Sequence, residues 1–360
     1  MDGEEWWQAR KKLNPLFLKH LNLVKMQSSV EEGVESMLAG WVPGNVSSLE
    51  QRMYSWSTTT MLSILLGDSP AAKERLGEVI ETLVWHVQQI FTTSAALSMV
   101  DPHQAAQQAT PAWVQFEHHV ENGLGLVQNL VEETLEDPSG PQGLAVELIK
   151  LGFTDDNIVR ILADLLLAAA DTTSITGLWL LHVLATRPDI QTAVGQETAR
   201  VCGSGPVRAE DVKHLRYTAG LVREIMRLYP VAPFLTRVAQ QDFVLGSYMV
   251  ERGTLLLMSS YAMGRSGDIF DLPDMITPER WIRNLNEKDV QKTTRAFASL
   301  PFGHGARGCI GKRVAEMELS LLTARLCQEW RMTSGDQEVQ YTMRMVGVPD
   351  KSISLLIERK

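Results

Sequence analysis

No uninterrupted apolar run of about 18 residues, the length a membrane-spanning helix needs, occurs in this chain of 360 residues. The most apolar long stretch, Ile161 to Leu184, is broken by Asp164 and Asp171, so no simple spanning helix is expected. Cysteine is scarce. Cys202, Cys309 and Cys327 form no CxxC or zinc-type spacing, and an odd, sparse count argues against a disulfide framework and for a reducing compartment. Positive charge is in short supply as well, with 34 Lys and Arg against 43 Asp and Glu and a net charge of −9. The molecule as a whole is therefore not built for nucleic acid, and an anionic partner would have to meet a local basic patch. No internal repeat or low-complexity segment is found, and the first residues do not read as a signal or transit peptide. The opening "MDGEEWWQAR" is already amphipathic, as if the chain begins inside a domain.

The composition that remains, 44% hydrophobic and 21% charged, is that of an ordinary globular protein. Its length fits one large domain or two. The first two thirds read mostly as helix. "SPAAKERLGEVIETLVWHVQQIF" offers Ser69 as N-cap and Pro70 at the first helical position, where proline is favoured. Residues 111–136 form a second long candidate, with a loop expected over 98–111. His103, His118 and His119 have no carboxylate or cysteine company, and surface positions are expected for them. The longest helix is expected to run from the Thr154–Asp155–Asp156 start to a break at Pro188. "FVLGSYMVERGTLLLMSS" alternates and turns at Gly246 and Gly253, a hairpin signal. "KSISLLIERK" reads as a last strand. The expected fold is mainly α with small β-sheets.

The chemistry concentrates in "FGHGARGCIG", residues 302–311, which lies just before the helix pattern "KRVAEMELSLLTARL". Glycines let backbone approach a partner closely, and an arginine there would steady an anion. A cysteine on a tight loop before a helix N-terminus sits where backbone dipoles favour a thiolate. That combination points to a metal ligand. The competing reading is a structural cysteine on a glycine-rich turn. His304, in the same loop, has no partner at helical spacing and reads as non-ligating.

The spacing Phe302-x-x-Gly305-x-Arg307-x-Cys309-x-Gly311 resembles the haem-binding loop of the cytochrome P-450 monooxygenases. Its five fixed residues coincide by chance on the order of once in a million start positions. The resemblance implies haem b (iron protoporphyrin IX) with Cys309 as axial thiolate, which favours O–O cleavage. Phe302 would shield the sulfur, and Gly305 and Gly311 would let the loop pass under the macrocycle. Arg307 would meet a propionate. Four further segments agree with it. Trp6 and Arg10 match the family's Trp-x-x-x-Arg, and Arg237 matches another propionate-contacting arginine. Glu224, Arg227 and Arg280 match a structural Glu–Arg–Arg triad. "AAADTTS" supplies Asp171 and Thr172 as the expected proton relay, with Ala169 where the family usually has glycine; a threonine bonding back to the preceding turn is the plainer reading.

The same resemblance implies a substrate pocket of Leu165, Ala168, Ala169, Val231, Phe234 and Leu235, suited to an apolar small molecule such as a sterol, steroid or other lipid. Lys312 and Arg313 occupy a first helical turn, where the dipole prefers acids. With Arg223 they resemble the redox-partner site of the mitochondrial branch, fed by an adrenodoxin-type ferredoxin, although the basic residue usual one turn before Arg223 is Ala219. The expectation is one domain over residues 1–360 in the P-450 fold, N-terminally incomplete: it starts at the Trp-x-x-x-Arg helix and lacks the anchor or targeting segment and the first strands. A membrane surface is an expected partner of the full-length form. The expected location is the matrix side of the mitochondrial inner membrane, with the endoplasmic reticulum membrane as the alternative. Beside the monooxygenase stand a haem-thiolate isomerase or lyase and a non-catalytic haem-binding fragment.

Overall fold

The computed structural model describes residues 3–67, 70–98, 100–136, 143–282, 289–335 and 338–360, so the Ser69 cap lies outside the described residues. Its helices begin with α1 (Gly3–Leu18), α2 (His20–Ala39), α3 (Leu49–Leu66), α4 (Pro70–Leu97), α5 (Pro102–Gln107), α6 (Pro111–Glu136), α7 (Leu144–Lys150), α8 (Asp155–Thr186), α9 (Pro188–Cys202) and α10 (Arg216–Leu228). A short strand, β1 (Gly44–Asn45), separates α2 from α3. The strands β2 (Phe234–Val238), β3 (Phe243–Leu245), β4 (Tyr248–Val250) and β5 (Leu255–Ser259) follow, then α11 (Ser260–Gly264), α12 (Asp289–Ala298) and α13 (Lys312–Glu329). The chain closes with β6 (Trp330–Ser334), β7 (Tyr341–Met343), β8 (Gly347–Pro349) and β9 (Leu355–Arg359).

The axle of this arrangement is α8, 32 residues in one unbroken helix and so about 48 Å long. Asp155 and Asp156 lie in its first turn, where the helix dipole favours negative charge. Thr154 holds the cap position without a side-chain bond to the backbone. Pro188 opens α9, because its ring cannot continue the α8 ladder. The second half of α8 is buried on nearly every side, packed by α3, α13 and β6. Gly177 allows the closest approach: a Cβ there would stand 2.2 Å from Met53 Cε of α3. Trp179, fully buried, stacks on Tyr229 at 4.1 Å between ring centres. Burying one such side chain contributes on the order of 2–3 kcal/mol, so the middle of α8 is a fixed platform.

Buried polar groups tie the neighbouring elements to that platform. Gln191 of α9 donates to the Leu184 and Met332 carbonyls and accepts from Met332 N, which links α8 to β6. Glu197 accepts the N–H groups of Tyr217 and Thr218 at the start of α10, a carboxylate at a positive helix end. The sheets are small. β1, β9 and β6 form an antiparallel three-stranded sheet, β3 pairs with β4 and β7 with β8. The hairpin expected over 243–260 is realised only as β3–β4, while β5 leaves it and pairs antiparallel with β2.

Two local expectations are corrected. The loop expected over 98–111 contains the helix α5, capped by the Asp101 side chain on the N–H groups of His103 and Gln104. His119 is not a surface residue. It is buried between α4 and α6, with its Nδ1 3.2 Å from that of His86, while His103 and His118 are exposed. No helix among the described residues is long and apolar enough to cross a membrane.

Candidate functional site

The 302–311 loop is shaped by its own backbone. Cys309 N–H donates to the Phe302 carbonyl at 2.8 Å, and a 3₁₀ turn spans Gly305–Arg307. Gly305 sits at φ +74°, a left-handed conformation that glycine adopts without strain. Cys309 is exposed just ahead of α13, and its sulfur accepts the backbone N–H groups of Gly311 and Lys312. Desolvation nevertheless raises its thiol above the ordinary range. The two N–H groups and the Arg10 charge act in the opposite direction without outweighing it, and Glu316 adds to the rise. A cation bound at the sulfur would complete the ionisation, because a coordinating thiol is deprotonated outright. No cluster of three or more His, Cys, Asp or Glu among the described residues could hold a metal by itself. The donor set therefore fits a metal that brings its own macrocycle.

Around that loop α1 delivers Trp6 and Arg10. Arg10 donates to the Gly308 carbonyl, and the Arg307 guanidinium lies 3.5 Å from the Trp6 ring centre. Helical spacing of four residues puts Trp6 and Arg10 on one face of α1, and the chain closes that face onto a loop nearly 300 positions away. Arg237 is placed differently. It is exposed on β2, and its guanidinium donates to the Thr236 carbonyl. His304 is exposed beside Phe297.

The three triad residues meet as a buried network. Arg227 grips Glu224 with two bonds, Nε to Oε2 at 2.9 Å and Nη2 to Oε1 at 2.7 Å, and Arg280 Nε donates to Oε1 at 2.8 Å. Sequence reasoning missed two donors to the same carboxylate, Trp281 Nε1 at 2.7 Å and the backbone N–H of Thr277 at 3.0 Å. Trp281 follows Arg280 directly, but its neighbourhood carries no signal that its indole points inward. Arg227 also donates to the carbonyls of Gly264, Pro273 and Met275, and so pins the 264–275 segment to α10.

On α8 the expected acid–alcohol pair is divided between two faces, because neighbouring helical residues point about 100° apart. Thr172 is exposed and its hydroxyl donates to the Ala168 carbonyl at 2.8 Å. Asp171 is 2% exposed, accepts the Tyr54 hydroxyl of α3, and has a second oxygen, Oδ2, without a hydrogen-bond partner. Burial pushes its carboxyl up to about 6 against the lowering by Tyr54, and the Glu50 charge adds to the rise. Asp164, Ala168 and Thr172 form an exposed stripe at helical spacing on a largely buried helix. The helix runs unbroken through Ala169, whose carbonyl accepts Ser57 Oγ at 3.1 Å. Of the other expected pocket residues, Leu165 and Leu235 are half-buried, Val231 is buried and Phe234 is exposed.

The basic residues converge around an acid that the sequence reading did not use. Glu316 of α13 feels the charges of Lys312, Arg223 and Arg313, which oppose the rise that burial imposes on it. Lys312 and Arg313 are exposed, with Lys312 Nζ 4.0 Å from Glu316. Arg223 is half-buried, its guanidinium 4.3 Å from the Trp281 ring centre.

Known proteins resemble this chain over nearly its whole length. The family model described as Cytochrome P-450 matches residues 1–357. Mitochondrial cytochrome P-450 315a1 of Drosophila melanogaster is 30% identical over 99% of this chain and 70% of its own length. Human mitochondrial sterol 26-hydroxylase is 27% identical over 98% of this chain and 71% of its own. Mouse mitochondrial 25-hydroxyvitamin D-1 alpha hydroxylase is 29% identical over 98% and 74%. The crystal structure of the cytochrome P-450DA haem domain superposes with a TM-score of 0.82 at 18% identity, covering 98% of this chain and 77% of that one.

Proposed function

The chain belongs to the cytochrome P-450 family, and on that premise we propose how its own residues carry out oxygen insertion. It is an oxidoreductase of the monooxygenase type, and its cofactor is haem with an axial cysteine thiolate. One oxygen atom of O₂ enters an apolar R–H bond to give R–OH; two electrons and two protons reduce the other oxygen atom to water. Bound haem supplies the dioxygen chemistry, which a thiolate ligand favours. Cys309 would hold the haem iron through its sulfur. Its exposed sulfur under the N–H groups of Gly311 and Lys312 is the observation that carries this reading. Trp6, Arg10 and Arg307, gathered at the loop, would hold the propionates, with Arg237 reaching them from its exposed place on β2, and Phe302, Gly305 and Gly311 would give the loop the room to approach the macrocycle. Glu224, Arg227 and Arg280 brace that side. Leu165, Ala168, Ala169, Val231, Phe234 and Leu235 line the substrate side.

Protons reach the reacting oxygen through Asp171 and Thr172. The Asp171 carboxyl, raised to about 6, exchanges a proton near neutral pH, and the exposed Thr172 hydroxyl, whose own proton goes to the Ala168 carbonyl, offers its oxygen as an acceptor on the other face. A positioned proton donor is worth about 10²–10⁴-fold. In turnover with an accepted substrate, Thr172→Ala is expected to keep consuming oxygen while diverting most of it to peroxide. Peroxide release at the wild-type level would show that water alone does the work and that the relay assignment is wrong.

The relatives' names extend the proposal to electrons, substrate and place. Several are named mitochondrial, one of them a sterol 26-hydroxylase and another a 25-hydroxyvitamin D-1 alpha hydroxylase. We assign this chain a ferredoxin as electron donor, a sterol-like or other lipid substrate, and a mitochondrial location on the matrix side of the inner membrane. Lys312, Arg313 and Arg223 form the docking patch, partly offset by Glu316. Exposed charges of this kind steer encounter more than they fix affinity and are screened beyond ~8 Å at physiological salt. Reversing Lys312 and Arg313 to Glu is expected to slow ferredoxin-driven reduction and flatten its salt dependence, with dithionite reduction intact. A wild-type rate and salt slope in the double mutant would remove ferredoxin from the proposal. Binding difference spectra across a sterol panel test the substrate class.

A further inference from the structure

The side of α8 away from Thr172 borders a cleft of about 1390 Å³, lined by α3, α4, α8 and the segment from Met343 to Ile353. Tyr54 and Asp171 both lie on its wall. Tyr54 itself is 6% exposed, and its hydroxyl donates to Asp171 Oδ1 across 117 residues of sequence. The other carboxyl oxygen, Oδ2, is buried without a partner. A carboxylate left this way is costly unless a proton or a water occupies the free oxygen. The cleft wall nearby is polar, with Gln51, Gln88 and Thr92 among its lining, and so offers partners for such water.

We infer that Tyr54 is a positioning residue for proton delivery: its hydroxyl fixes one oxygen of Asp171 and leaves the other to exchange protons with water in this cleft. The inference rests on the relay reading of Asp171 and Thr172 and adds its supply side. A Tyr hydroxyl donating to the carboxylate stabilises the charged form, whereas the neighbouring Glu50 charge destabilises it, and both directions hold at Asp171. The charged groups lining the cleft are Glu50 on α3 and Arg344, Asp350 and Lys351 on the segment beyond β7; Arg344 acts on Tyr54, and the lining contributed by α4 carries no charge. The two substitutions Tyr54→Phe and Glu50→Gln should therefore move the titration of Asp171 in opposite directions. A Tyr54 that only packed the core would leave the midpoint unmoved when its hydroxyl is removed.

The test is an infrared pH titration of the haem-loaded protein, following the carboxylic-acid band that Asp171→Asn removes. Tyr54→Phe is expected to raise the midpoint by about one pH unit, a roughly tenfold change in the ionisation constant. Glu50→Gln is expected to lower it, by about twofold for a charge near solvent. In turnover, the pH at which peroxide release rises should follow the same two shifts. A midpoint unmoved in folded Tyr54→Phe overturns the inference; if that variant does not fold, fluorotyrosine at position 54, a stronger hydrogen-bond donor, should lower the midpoint, and an unmoved midpoint there overturns it instead. If Asp171→Asn and Thr172→Ala leave peroxide release unchanged, the relay reading falls and takes this inference with it. If both raise peroxide while the midpoint stays fixed, only the role of Tyr54 is lost.

Discussion

Cys309→Ala is expected to lose the far-red absorbance of the reduced carbon monoxide complex completely, and Cys309→His to replace it with the band of a histidine-ligated haem. The loop holds a single sulfur, exposed at the head of α13. The other two cysteines cannot substitute for it. Cys327 is fully buried among the helices, with its thiol pushed up to about 12, and Cys202 ends α9 with its thiol pushed up to about 11. His304, in the same loop, is the competing candidate, and its ring lies against Phe297. An unshifted band in Cys309→Ala would mean that another side chain ligates the iron and would sink the site assignment. Because the loop is glycine-rich and held by backbone bonds such as Cys309 N–H to the Phe302 carbonyl, the substitution should cost little stability, and thermal melting separates lost ligation from lost fold.

The largest effect on stability is expected at Glu224. Its carboxylate is fully buried and accepts from Arg227, Arg280, Trp281 and the Thr277 N–H. Glu224→Ala strands the Arg227 guanidinium, 1% exposed, without its counter-charge. Breaking a buried pair from one side costs ~3–5 kcal/mol, against a total stability of about 5–15 kcal/mol for a typical protein. The urea midpoint should fall sharply, and the loss should persist at high salt, because buried pairs are screened little. Glu224→Ala and Arg227→Leu combined should recover only part of it, since the carbonyls of Gly264, Pro273 and Met275 then lose their donor. A midpoint within experimental scatter of wild type would remove the bracing role assigned to these residues.

Much of this could be read along the chain because the signal is local. The Cys309 loop is ten consecutive residues, Trp6 and Arg10 share a face by helical spacing, and Glu224 and Arg227 are three apart on α10. Turn chemistry and helix period act within a few residues, so they mark the ends of α8 at Thr154 and Pro188 and a last strand within residues 351–360, found at Leu355–Arg359. The mainly helical class with small sheets follows from the same short-range rules.

Long-range packing settled the rest. Which residue meets Asp171 depends on how α3 lies against α8, and Tyr54 sits 117 positions away in an otherwise ordinary apolar helix pattern. Strand β5 abandons its sequence neighbour β4 for β2, and His119 meets His86 only because α4 packs on α6. The division of Asp171 from Thr172 has the same origin. Adjacency in sequence says that two side chains are close, but on a helix it also turns them apart, and only the neighbours that bury one face decide which residue meets water.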